Sequence, residues 1–118
     1  MELDPAGDTK SVSKPELSAA IDKLWERFLP EIRERVAVLE SAAAGFNANT
    51  LTEEQKEEAN SAAHKLAGTL GTFNLARGTE LARELELVFA RNDNPGPAIA
   101  GRLAAIANEL RALIDSRM

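Results

Sequence analysis

One residue in this 118-residue sequence has the makings of a nucleophile near neutral pH: His64, its single histidine. An imidazole is a good nucleophile and, as a residue type, is largely neutral in that range. Standing in the open, its ring nitrogen can attack an acyl phosphate on another molecule and later give the phosphoryl group up again. The residues around it are Ala63-His64-Lys65-Leu66-Ala67-Gly68-Thr69-Leu70-Gly71-Thr72-Phe73. On a helical wheel Ala59, Ala63, Leu66, Leu70 and Phe73 gather on one side, and His64 falls on the opposite side. Gly68 and Gly71 share the side of His64, one and two turns later. A lone histidine on a polar helix face is most often only a solvated residue. Two glycines within a helix, however, cost roughly 1 kcal/mol each relative to alanine. They could serve a close helix crossing or a mobile segment, or they could leave bare backbone beside the imidazole for another folded protein to reach.

Other chemistries lack their parts. Without cysteine there is no thiolate catalysis, disulfide or cysteine-ligated zinc. Gly68-Thr69-Leu70-Gly71 is not followed by Lys-Ser/Thr and sits mid-helix, so it is no phosphate loop. No base is paired with a nucleophile and no plausible metal cluster stands out, which makes a self-sufficient kinase or hydrolase the weakest reading. The formal net charge of −5 opposes binding to nucleic acid or to an anionic membrane surface. No apolar run approaches the roughly 20 residues that span a bilayer, and Met1 to Lys10 is polar, unlike a signal peptide. A monomer in the cytoplasm is the expectation.

The positioning elements follow from periodicity and caps. Composition favours helix: Ala and Leu dominate the apolar residues, tyrosine is absent, and Trp occurs once. Residues 1–12 read as a flexible tail, and 13–118 as one helical domain. Ser13 and Glu16 form a candidate capping box around Pro15. Leu17, Ile21, Leu24 and Phe28 follow at helical spacing, widened by Trp25 and Leu29. Pro30 should end or kink that first helix. A second stripe, Ile32, Val36, Leu39 and Ala43, is closed by Gly45. Thr52 and Gln55 make another capping box, with Glu53 and Glu54 at the positive helix end, and predict a helix over about 53–72. Asn74 suits a left-handed turn. A further helix runs from about 75 to 91 with Leu81, Leu85 and Val88 inward. After the break at 92–97, the last helix carries Ile99, Leu103, Ile106, Leu110 and Leu113. The expected fold is all-α: an up-down-up-down four-helix bundle with an additional N-terminal helix packed across one end.

The run His64-Lys65-Leu66-Ala67-Gly68, followed by Gly71-Thr72-Phe73, resembles the signature of histidine-containing phosphotransfer domains, and Leu81-Ala82-Arg83-Glu84-Leu85-Glu86 resembles that family's next helix. The resemblance implies a phosphorelay intermediate in two-component signalling, not an enzyme. His64 would accept a phosphoryl group from the phospho-aspartate of a response-regulator receiver domain and pass it to a second receiver, with a sensor histidine kinase upstream. The module would need no cofactor, since magnesium sits on the receiver. Lys65 would lend charge to the phosphate, while Ala67, Gly68, Gly71 and Thr72 would border the docking surface. Two positions depart from the family pattern: Ala67 stands where many members have lysine, and Asn74 where many have glycine. Two other readings share these residues: the histidine substrate domain of a chemotaxis-type kinase, and an adaptor that binds a receiver without transfer.

Overall fold

The helix expected over 53–72 begins and ends where its capping residues say it should, and the segment before it holds two exceptions to the expected bounds. The computed structural model describes residues 14–91 and 97–117. The expected tail, the Ser13 cap and residues 92–96 of the expected break lie outside the described residues. Within them there are four helices and no strand: α1 (Lys14–Asn47), α2 (Glu53–Thr72), α3 (Ala76–Ala90) and α4 (Pro97–Arg117).

The first exception is Pro30. It lies inside α1, which continues past it to Asn47, so the additional N-terminal helix is not a separate element. Proline removes one i→i−4 hydrogen bond, and here uninterrupted helix on both sides offsets that loss. Pro30 still marks a boundary, because the chain divides there into two compact units, residues up to Pro30 and residues from Glu31 on. In the first unit the expected inward stripe is not inward. Leu17, Ile21, Leu24 and Phe28 are exposed, and Trp25, at 2% exposure, is the one buried residue among those described.

The second exception is Gly45, which does not stop α1. The helix passes through it, and Asn49 takes the left-handed conformation with φ 60°. The Thr50 amide donates to Gly45 O at 2.8 Å and the Asn49 amide to Phe46 O at 3.1 Å, the paired bonds of a Schellman cap. The same device ends α2. Asn74 has φ 60°, its amide donates to Gly71 O at 3.1 Å, and the Leu75 amide donates to Leu70 O at 3.0 Å. Asparagine tolerates this conformation better than most side chains. The start of α2 is the reciprocal box expected from sequence. The Gln55 amide donates to Thr52 Oγ1 at 3.1 Å, and the Thr52 amide donates to Gln55 Oε1 at 2.9 Å.

The second unit is the four-helix bundle. Its core takes Ile32, Val36 and Leu39 from α1, Leu66 and Leu70 from α2, Leu81, Leu85 and Phe89 from α3, and Leu103, Ile106, Leu110 and Ile114 from α4. Val88, Ile99 and Leu113, expected inside, are half-buried, and Phe89 and Ile114 take the inward places. No buried polar or charged residue interrupts this core among the described residues. Many of its positions are alanine, which lets helices approach closely. The tightest place is Gly78, where an added Cβ would lie 2.9 Å from Leu70 Cδ1. Leu70 is itself buried and has little room to yield.

Arginine–carboxylate pairs tie α4 to its neighbours. Arg111 forks onto Glu40 of α1 at 2.6 and 2.7 Å, Arg102 onto Glu84 of α3 at 2.7 Å twice, and Arg77 of α3 onto Glu109 at 2.8 and 3.1 Å. Arg33 adds a bond to Asp115 at 2.8 Å. The hydrogen bonds from these arginines hold the Glu40, Glu84 and Glu109 carboxyls below their usual range. Each pair is solvated and screened by water and salt, so each contributes little to stability.

Two stability predictions follow from this packing. Gly78→Ala should lower stability in urea melts by about 1 kcal/mol, because overpacking of about 1–3 kcal/mol exceeds the helix-propensity gain. Gly101→Ala, whose Cβ meets nothing within 4 Å, should raise it by about 0.5–1 kcal/mol. Equal effects of the two would contradict the packing assigned to Gly78. Separately, carboxyls lowered in the folded state stabilise it above their unfolded pKa, and that contribution is lost as pH falls through the folded value. The urea midpoint should therefore decline as pH drops below the usual glutamate value of 4.5, and a Glu40→Gln, Glu84→Gln double variant should show a shallower decline.

Candidate functional site

The face of α2 opposite the core is where the chemistry collects. Ala59, Ala62, Ala63, Leu66, Ala67 and Leu70 are buried, which turns His64, Lys65, Gly68, Gly71 and Thr72 outward, all exposed. The His64 side chain is 72% exposed. Its ring is nonetheless held: Nδ1 lies 2.8 Å from Glu86 Oε2, on α3. An ionised carboxylate only accepts, so this hydrogen bond puts a proton on Nδ1. In the neutral ring the lone pair is then on Nε2. Glu86, 26% exposed, is itself placed from α2. The Asn60 side-chain amide, one turn before His64, donates to the Glu86 carbonyl at 2.7 Å. Asn60 thus fixes the α3 backbone at the residue whose carboxylate orients the imidazole.

An open groove of about 430 Å³ runs beside the ring, walled by Glu31 and Arg35 of α1 and by His64, Lys65, Gly68, Thr69 and Thr72 of α2. Gly68 lines this groove without a side chain, and Gly71 leaves bare backbone nearby on the same helix face. A Cβ on Gly68 would meet nothing within 4 Å, and one on Gly71 would make only an ordinary 3.8 Å contact with Thr79 Oγ1. Neither glycine is required by packing among the described residues, unlike Gly78. Thr69 and Thr72 donate their hydroxyls to Lys65 O and Gly68 O, each at 3.1 Å, so these protons are engaged within α2. Across the groove Arg35 Nη2 pairs with Glu31 Oε1 at 3.1 Å.

Most of the residues singled out from sequence come together here: His64, Lys65, Gly68 and Thr72 border one groove, with Gly71 exposed on the same helix face. Ala67 does not. It is 3% exposed, because the packed face of α2 is wide enough to take Ala67 along with Ala63, Leu66 and Leu70. It belongs to the core and not to a docking surface. Glu86, Asn60, Arg35 and Glu31 carried no role in the sequence reading. Glu86 lay in the run that resembled a family helix, but its meeting with His64 joins residues on separate helices. Helical periodicity alone gave no such signal.

Residues 23–116 match the family model of the Hpt domain. The chain belongs to the Hpt domain family. Protein RcaC of Microchaete diplosiphon is a relative, 30% identical over 105 residues, covering 89% of this chain and 16% of its own length. The present chain therefore spans about one sixth of that relative. No solved structure matches it significantly. The Hpt family is one of histidine phosphotransfer in two-component phosphorelays, a role in which the module is not itself a catalytic enzyme. Among the described residues, this Hpt domain has no helix long and apolar enough to cross a membrane.

The hydrogen bond to Glu86 makes a spectroscopic prediction. Long-range proton–nitrogen correlation spectra of the neutral ring should show His64 with its proton on Nδ1. Glu86→Ala should redistribute that proton between the two nitrogens. An unchanged tautomer in the variant would mean the carboxylate does not set it.

Proposed function

We propose that His64 is the phosphoryl acceptor of this Hpt domain and that the groove beside it is where a receiver domain docks. One observation carries the reading most strongly: an exposed imidazole has Nδ1 engaged by Glu86 while the backbone next to it is left bare at Gly68. In this reading Nε2 attacks the phosphorus of a receiver's phospho-aspartate in line. The N–P bond forms, the acyl-phosphate P–O bond breaks, and the aspartate leaves as carboxylate. Glu86, still accepting from Nδ1–H, balances the positive charge that develops on the ring. A second receiver reverses the step and takes the group onto its own aspartate. Magnesium and most of the charge stabilisation come from the receiver. The Hpt domain contributes a positioned nucleophile.

The outer surface is assigned accordingly. Lys65 offers positive charge at the edge of the phosphoryl position, Gly68 and Gly71 give the visiting domain room, and Thr72 borders it. Receiver domains are the direct partners, a sensor histidine kinase stands upstream, and the chain acts as a monomer in the cytoplasm.

Incubation with a phosphorylated receiver and magnesium should place acid-labile, base-stable label on the chain, and His64→Gln should abolish it. Gly68→Leu should keep the helical circular-dichroism spectrum yet slow transfer by about tenfold or more, and Glu86→Ala should slow it similarly with the fold intact. Undiminished transfer in Gly68→Leu would defeat the docking assignment. Label from a kinase and ATP but from no receiver would indicate a kinase substrate domain instead, and receiver binding without label an adaptor.

A further inference from the structure

A phosphoryl group on Nε2 would bring close to two negative charges into a groove that already holds the Glu31 carboxylate. The chain as a whole is acidic, at −5. Charge of that density on an exposed surface calls for a cation within hydrogen-bonding reach, and α2 is poorly furnished with one. Its position three residues after His64 is Ala67, which is buried. Lys65 is exposed at the groove edge as a solvated point charge.

The other cation walling the groove is on a different helix. Arg35 of α1 has only 19% of its side chain exposed and is held by an i,i+4 pair to Glu31, at 3.1 Å through Nη2. Among the described residues this is its one ion pair, made through one nitrogen of a group with five donors. Its partner Glu31 is about half exposed, at 49%, so releasing that carboxylate to water demands little. A guanidinium is planar, always charged, and matched to two phosphoryl oxygens at once. Arg35, His64 and Gly68 line the same open groove, and even a Cβ added at Gly68 would meet nothing within 4 Å.

We infer that Arg35 is a phosphoryl-binding residue supplied across the groove by α1, held by Glu31 until the group arrives and then exchanged onto its oxygens. This rests on the reading of His64 as acceptor. No covalent step is added: the guanidinium leaves one carboxylate and takes up phosphoryl oxygens, and Glu31 returns to solvent. Lys65 and Arg35 then grip the group from two helices, which makes the phosphorylated form a cross-link between α1 and α2.

The test uses the whole chain phosphorylated chemically with phosphoramidate, so that it needs no receiver. Phosphorus NMR follows the titration of the phosphohistidine, and nitrogen-resolved spectra follow the Arg35 Nε–H. A neighbouring cation favours the dianion. Arg35→Gln should therefore move the phosphoryl midpoint to higher pH, by about 0.5 pH unit or more. Arg35→Lys should restore part of the difference, and Glu31→Gln, which removes the competing carboxylate, should move the midpoint to lower pH. The Arg35 Nε–H should shift on phosphorylation in the wild-type chain and remain in place in phosphoramidate-treated His64→Gln. A midpoint unmoved by Arg35→Gln, with an unmoved Arg35 signal, overturns the inference. So does a midpoint governed by Lys65→Gln alone. A chain that phosphoramidate labels on His64 with these shifts, but that no receiver labels, keeps the inference and fails the relay reading. No label on His64 from phosphoramidate overturns both.

Discussion

The close seating of α3 on α2 is the constraint on which the site depends. The turn between them is short, closed by the left-handed Asn74 and the bond from the Leu75 amide to Leu70 O. Immediately after it, Gly78 lets Leu70 lie against the α3 backbone where any Cβ would collide. Two helices joined so tightly have little freedom to slide or rotate. The Asn60 amide on the Glu86 carbonyl then pins their register further along. Only with that register set does Glu86 meet the one imidazole of the chain. Packing in the interior and orientation at the surface are thus consequences of one helix pairing.

The same helix, α2, serves two opposed demands. One face must bury apolar surface, and it does so with small residues and two leucines that admit close neighbours. The other, in the function proposed above, must be reached by a folded partner, and it carries no side chain at Gly68 and Gly71. Gly68 and Gly71 show that the second demand is separate from the first, since neither meets a neighbour that would exclude alanine. Helix stability is forgone at those positions without any gain in the bundle's own packing. The arginine–carboxylate pairs lie elsewhere, along α4. None of their residues lines the groove beside the imidazole, where Glu31 and Arg35 form an ion pair.

Before the bundle, α1 carries a unit of different character. Its described residues expose Leu17, Ile21, Leu24 and Phe28 at helical spacing and bury Trp25. The family match begins at residue 23, inside this segment. The apolar stripe that reads as a buried face in the sequence straddles that limit, with Leu17 and Ile21 before it and Leu24 and Phe28 after it, and its pattern alone did not establish burial. Periodicity reports that one side of a helix is apolar. It does not say what, if anything, lies against that side.

What the amino-acid sequence determined by itself is what is decided within a few residues along the chain. The Thr52–Gln55 box, the left-handed Asn74, the bounds of α2 and the outward direction of His64 all follow from capping chemistry and a 3.6-residue period, and all are found in the structure. Tertiary structure decided the rest. Pro30 is carried through because helix on either side outweighs one missing hydrogen bond, and Gly45 is passed because Asn49 closes the helix instead. Ala67 is inside because the packed face of α2 is broader than a single stripe. Glu86, Asn60 and Arg35 become site residues only when α3 and α1 are rotated against α2. That rotation comes from how Gly78, Leu70 and the alanines fit together, a relation between distant parts of the chain that no local period contains.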